Sequence, residues 1–123
     1  MSNANHNYGR QSETAAVDHL RRLGYAILHR NYRTPYGEID IVAEHKGVTV
    51  FIEVKARKSM RYGSPRLAVT AEKQRKISMV ALAYLKKHRA LDIPARFDVV
   101  TVQQTEHAPA IDVIPNAFDL AYG

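Results

Sequence analysis

The chain of 123 residues contains no cysteine. Disulfides and thiolate-bound metal sites are therefore excluded, and its hydrophobic residues, 46% of the total, must form a core without covalent staples. This usage fits a reducing, cytoplasmic setting. No window approaches the run of about 18 apolar residues that a membrane-spanning helix needs. Residues 1–9 are polar and lack the apolar stretch of a secretory signal, so they are expected to form a flexible tail before a single domain over residues 10–123. There are no repeats and no low-complexity tract. Acids are also scarce, 12 against 18 Lys and Arg, which leaves a net charge of +6.

The excess positive charge is local. Between Lys55 and Lys76 stand Lys55, Arg57, Lys58, Arg61, Arg66, Lys73, Arg75 and Lys76, against the single acid Glu72. A basic segment of this kind suits phosphate contacts, which position a nucleic acid without reading its sequence. Arg57, Lys58, Arg61, Arg66, Lys73 and Lys76 are the candidate contacts. A merely solvated surface is the plainer alternative. The six histidines show no zinc-site spacing.

The expected element order is αβββαββ. Gln11 to Leu23 carries an apolar stripe of Ala16, Val17, Leu20 and Leu23, with Gly24 as a stop. Tyr25 to Tyr32, Glu38 to His45 and Val48 to Ala56 read as strands, the last two joined by a tight turn at Lys46-Gly47. Thr70 is the expected cap of a helix from Ala71 to His88 that buries Ile77, Val80, Ala81, Tyr84 and Leu85. Arg96 to Gln103 and Ala110 to Ile114 complete an α/β mixed sheet flanked by helices.

The second and third strands carry unusual charges for a core. A two-residue turn places His45 opposite Val48, hence Asp40 opposite Glu53 and Glu38 opposite Lys55. Strict alternation puts Asp40, Glu53 and Lys55 on one face. Facing carboxylates repel unless something lies between them, and Mg²⁺ or Mn²⁺ with phosphate oxygens would suit. An ordinary salt-bridge ladder, with Lys55 neutralising Glu53 or Glu38, is the alternative. Glu13 lies on the apolar stripe of the first helix, either to reach the same cation or to meet the helix dipole in the first turn. Asp98, within "RFDVV", is expected to hold a structural partner such as Arg96 or to mark a strand end.

"GEID" at Gly37–Asp40 and "FIEVK" at Phe51–Lys55 resemble the core of the PD-(D/E)xK nucleases, whose restriction-endonuclease-like fold has the order αβββαβ. "NYRTPYGEID", "FIEVKAR", "YGSP", "VTAEKQRKI", "AYL" and "RFDVV" further resemble the YraN-like family of bacterial proteins, over about Gly9 to Val113. Within that superfamily the YraN-like proteins look closest to Holliday-junction resolvases. The resemblance implies a Mg²⁺- or Mn²⁺-dependent endonuclease acting on DNA, branched DNA included, and is compatible with a homodimer. It implies Asp40, Glu53 and the carbonyl of Val54 as metal ligands, Lys55 as the catalytic lysine, Glu13 as the first-helix acid and Gln74 as a glutamine beside the site. Ser12 stands where the family often shows Gly. The competing expectations are a catalytically silent nucleic-acid-binding module of the same fold and a protein-interaction adaptor.

Overall fold

The computed structural model describes the backbone of residues 2–57 and 69–119 and the side chains of residues 10–56 and 69–119. The order is α1 (Ser2–Arg22), β1 (Ala26–Thr34), β2 (Gly37–His45), β3 (Val48–Arg57), α2 (Ala71–Lys87), β4 (Ala95–Gln103) and β5 (Ala110–Phe118). The five strands form one sheet in sequential order. All neighbours are antiparallel except β3 and β4, which run parallel and are joined through α2. A parallel pair needs such a crossover, because a tight turn cannot return the chain to the same end. The expected mixed sheet flanked by helices, αβββαββ, is the fold observed.

Each helix covers one face. Ala16, Val17 and Leu20 of α1 pack with Ile41, Ala43, Val50, Ile52, Val100 and Val102. Ile77, Val80, Ala81, Tyr84 and Leu85 of α2 pack with Val42, Phe51, Phe97 and Val99. Adjacent residues such as Val42 and Ala43 thus enter different cores, as the two-residue period of a strand requires. The α2 face is the one that spacing predicts. On α1, Leu23 departs from expectation: the helix ends at Arg22, and Leu23 is 50% exposed in the turn before Gly24. At its other end the helical backbone begins at Ser2, where a tail through Gly9 was expected. The final strand is also longer than expected and takes in Pro115. An edge strand tolerates proline, which has no N–H for a ladder.

Beneath α1, one buried charge is fully partnered. Asp98, on β4, is wholly buried. It accepts from Arg96 Nε at 3.0 Å, Tyr25 Oη at 3.2 Å and the Asn116 backbone N–H at 3.0 Å. Tyr25 stacks on His45 with ring centroids 4.0 Å apart. The knot ties the residue before β1 to β2, β4 and β5 at one end of the sheet, and Arg96 is a partner the sequence suggests. Asp98→Ala strands a guanidinium, a phenol and an amide together. It is expected to cost about 3–5 kcal/mol, as for other buried ion pairs broken on one side. Urea unfolding followed by circular dichroism checks this, and Asp98→Asn, which keeps hydrogen-bonding capacity, should cost less.

Candidate functional site

The Lys46-Gly47 turn sets the register as expected, with His45↔Val48 through Ile41↔Ile52 paired. Lys46 and Gly47 both take positive φ, 52° and 80°, the signature of a two-residue hairpin turn. Beyond Ile41 the expectation of strict alternation fails. Ile39 and Val42 both enter the α2-side core, whereas Ile41 enters the α1-side core. Asp40 lies on the α1 side as well, against Glu13 and Val54. The alternation therefore slips by one residue between Asp40 and Ile41.

Strand β1 slips with it. His29 and Tyr32 both reach Tyr84 of α2, while Arg30 and Asn31 both reach Glu13 of α1. Asn31 takes φ 54°, a left-handed conformation that Asn tolerates better than most residues. A shared kink in two neighbouring strands thus brings Asp40 to the α1 side, as β-bulges do when they re-aim a side chain. Asp40 does not stand face to face with Glu53 across a flat ladder. It reaches over the next strand, where its Oδ2 accepts from the Val54 N–H at 2.8 Å.

Glu53 keeps the alternation of β3 and lies on the α2 side, 7% exposed. Its carboxyl nevertheless lies close enough to that of Asp40 for each to shift the other's ionisation. The two acids thus meet at the kink. Lys73 Nζ lies 2.5 Å from Glu53 Oε2. Oε2 is thus paired with a partly exposed ammonium. Lys55 lies close enough to Lys73 and to both acids for its ionisation to feel all three. Two carboxyls and two lysines form one cluster.

Lys73 is the member that sequence reasoning placed elsewhere, among the phosphate contacts. Its position is fixed by the Thr70 cap, whose Oγ1 accepts from the Lys73 N–H at 3.2 Å. That bond makes Lys73 the third residue of α2, where the helix dipole disfavours a cation. Glu53 supplies the compensating charge. A lone lysine in the first turn of a capped helix was the available signal.

The remaining candidates divide. Glu13 accepts from Arg30 Nε at 3.3 Å and Asn31 Nδ2 at 3.1 Å, and shares a cavity of about 570 Å³ with Asp40. Glu38 is not opposite Lys55; it pairs with Arg33 at 2.9 Å. Gln74 turns to its own helix start, donating to the Val69 carbonyl at 2.9 Å. Lys76 pairs with Glu72 at 3.5 Å along the surface of α2. Lys58, Arg61 and Arg66 lie outside the described residues, as does the side chain of Arg57.

The electrostatics follow from the geometry. Burial, reinforced by the facing Glu53, pushes the Asp40 carboxyl from 3.8 up to about 8, although the Val54 N–H pulls the other way. Burial alone would also raise Glu53. Its hydrogen bond from Asp40 and the Lys73 ammonium outweigh burial and hold it below the usual range. Lys55 is lowered by burial and by the neighbouring Lys73. Lys73 is raised, because Glu53 overcomes the burial that would lower it. The pair thus divides its roles, one carboxyl protonated and one ionised.

Among the described residues no three His or acidic side chains gather closely enough to form a ready-made metal cage. The donor set still fits a hard divalent cation. It offers two neighbouring buried carboxyls, and such ions take oxygen ligands from one or two carboxylates with water and phosphate completing the shell.

Fold and cluster together define an α/β protein whose paired carboxyls and paired lysines meet where a mixed sheet kinks. The chain belongs to UPF0102, the YraN family: the model described as "Uncharacterised protein family UPF0102" matches residues 12–102. Its relatives include the UPF0102 protein of Desulfosudis oleivorans, 52% identical over 97% of this chain and 95% of that one. The UPF0102 protein of Geobacter metallireducens is 52% identical over 99% of this chain and 100% of that one. That of Trichlorobacter lovleyi is 48% identical over 99% and 98%.

The raised Asp40 has a sign. The folded protein keeps a proton there that the unfolded chain has lost, so this contribution is full below 3.8 and disappears as pH rises toward about 8. Without metal, the melting temperature is expected to fall across that window. Asp40→Asn, which cannot ionise, should flatten the fall. Thermal melts in a chelating buffer across that range check both. A parallel fall in wild type and variant would place the titration elsewhere.

Proposed function

We propose that this protein is a Mg²⁺- or Mn²⁺-dependent endonuclease acting on DNA in the cytoplasm, branched DNA included. The observation that carries the reading is the meeting of Asp40 and Glu53 over the backbone of Val54, with Lys55 on the same strand beside them. The resemblance of "GEID" and "FIEVK" to the PD-(D/E)xK core supports it, as does the fold. A homodimer would supply the two sites that symmetric cutting of a junction requires.

The cation would sit between Asp40 and Glu53, with the Val54 carbonyl as a further oxygen ligand. When bound, it supplies a water of lowered pKa and a positive charge beside a phosphoryl oxygen. The chain's own residues do the rest. Asp40 must give up its proton to serve as a ligand, and the bond from the Val54 N–H stabilises the resulting carboxylate. Lys55, its pKa lowered by burial and by Lys73, is suited to accept a proton from an attacking water or to steady charge on the phosphoryl group. Lys73 neutralises Glu53 and would share that carboxylate with a bound cation. It is then free to turn toward a phosphate. Glu13 restrains Arg30 and Asn31, which support the kink that presents Asp40.

A catalytically silent binding module shares every one of these features except turnover, and cleavage decides between them. Lys55→Ala is expected to keep DNA binding and lower cleavage by roughly 10²- to 10⁴-fold, the usual share of a positioned acid-base group. The assay uses plain duplex, flap and four-way-junction DNA with Mg²⁺ and with Mn²⁺. Absence of any cut by the wild type would leave the binding module as the reading.

Metal binding has its own test. Lys73→Met removes the internal cation from Glu53 and should tighten Mn²⁺ binding measured by calorimetry. Asp40→Asn should weaken it. Unchanged affinity in both variants would mean that the ion does not use this pair.

A further inference from the structure

We infer that the strand to be cut enters from the α1 side, as a single nucleic-acid strand held by Arg10, Arg30 and Arg33 in the cavity that ends at Asp40. This inference deepens the nuclease reading and rests on it. None of these arginines belongs to the basic run from Lys55 to Lys76.

The two sides of the acid pair offer different access. On the α2 side, Glu53 is enclosed by Ile39, Phe51, Ile77 and Phe97, and the gap among them leaves no room for a water molecule. On the α1 side, the cavity of about 570 Å³ opens onto Asp40 and Val54. A ligand in that cavity would meet Asp40 directly. The volume is typical of pockets for small molecules or short chain segments, about 300–1,000 Å³. It suits one extended strand better than an intact duplex.

The walls are chemically matched to phosphate. Arg10 and Arg33 are exposed, and Arg30 is half-exposed with its Nη2 3.3 Å from Thr14 Oγ1. Glu13 and Glu38 each take the Nε of one arginine. A guanidinium has five N–H donors, so both arginines retain others for phosphate oxygens, already fixed in direction. Arg10 has no ion pair among the described residues.

The second observation is Ser12. It is 1% exposed, it lines this cavity, and its hydroxyl has no hydrogen-bond partner among the described residues. Burying a hydroxyl without a partner costs about 1–3 kcal/mol. A phosphate oxygen in the cavity, directly or through one water, would satisfy it.

The experiment measures a fluorescent oligothymidylate binding to the full chain in chelating buffer, across a salt series. Arg10→Gln/Arg30→Gln/Arg33→Gln should bind at least about tenfold more weakly at low salt. The slope of log affinity against log salt should become shallower by about 0.7 for each phosphate contact removed from a single strand. Arg10→Gln/Arg33→Gln keeps the partners of Glu13 and should show part of both effects, which guards against a folding defect in the triple variant. Ser12→Ala should weaken binding without changing the slope. The control is Lys86→Gln/Lys87→Gln, two exposed lysines at the far end of α2. An unchanged slope in the arginine variants, an equal loss in the control, or a loss confined to duplex DNA would each overturn the inference. Cleavage of duplex, flap and four-way-junction DNA with Mn²⁺ separates the two readings: arginine-dependent binding of the oligothymidylate with none of those substrates cut preserves this site and removes the nuclease assignment.

Discussion

The contact between the Asp40 and Glu53 carboxyls governs the rest of the site. Two acids do not approach closely inside a sheet unless a proton, a lysine or a metal ion lies near them. Here the first two are supplied from within the chain: Asp40 keeps a proton and Lys73 faces Glu53. The kink, the Thr70 cap and the bond from Val54 all converge on that contact. Each fixes one participant before any ligand arrives, which reduces the reorganisation that binding would require.

The α1 face carries a sealed end and an open end. At one end Asp98 is sealed among Arg96, Tyr25 and Asn116, with every contact made inside the fold. At the kinked end Asp40, Ser12 and the arginines line open space. Both ends bury a carboxyl, but among the described residues only the kinked end leaves a buried hydroxyl, that of Ser12, without a hydrogen-bond partner. A buried group that is fully partnered serves the fold, whereas a group left wanting is a candidate for function.

Much of this was legible in the residues. Lys46-Gly47 allows few turn geometries, so the pairing from His45↔Val48 to Ile41↔Ile52 could be counted directly. The α2 face followed from the spacing of Ile77, Val80, Ala81, Tyr84 and Leu85, and its start from Thr70. The slip at Asp40 was not legible from strict alternation, which has no place for a bulge. Its trace was the apolar run Ile41-Val42-Ala43 beside Ile39, too many apolar residues for one buried face. Lys73 was hidden for another reason. A lysine's role depends on what its long stem reaches, and the strand it reaches lies twenty residues earlier in the chain. The extra length of β5 escaped notice because Pro115 ordinarily ends a strand.

Pro115 belongs to the outermost strand at one side of the sheet, and the kinked β1 with its left-handed Asn31 forms the other side. A strand from a second molecule would find a missing N–H at one border and a bent backbone at the other. Neither border is a flat template for copying. The sheet is thereby protected against growing into fibres from molecule to molecule. The same bend that delivers Asp40 to its partner also keeps the protein's margin from becoming a polymerisation surface.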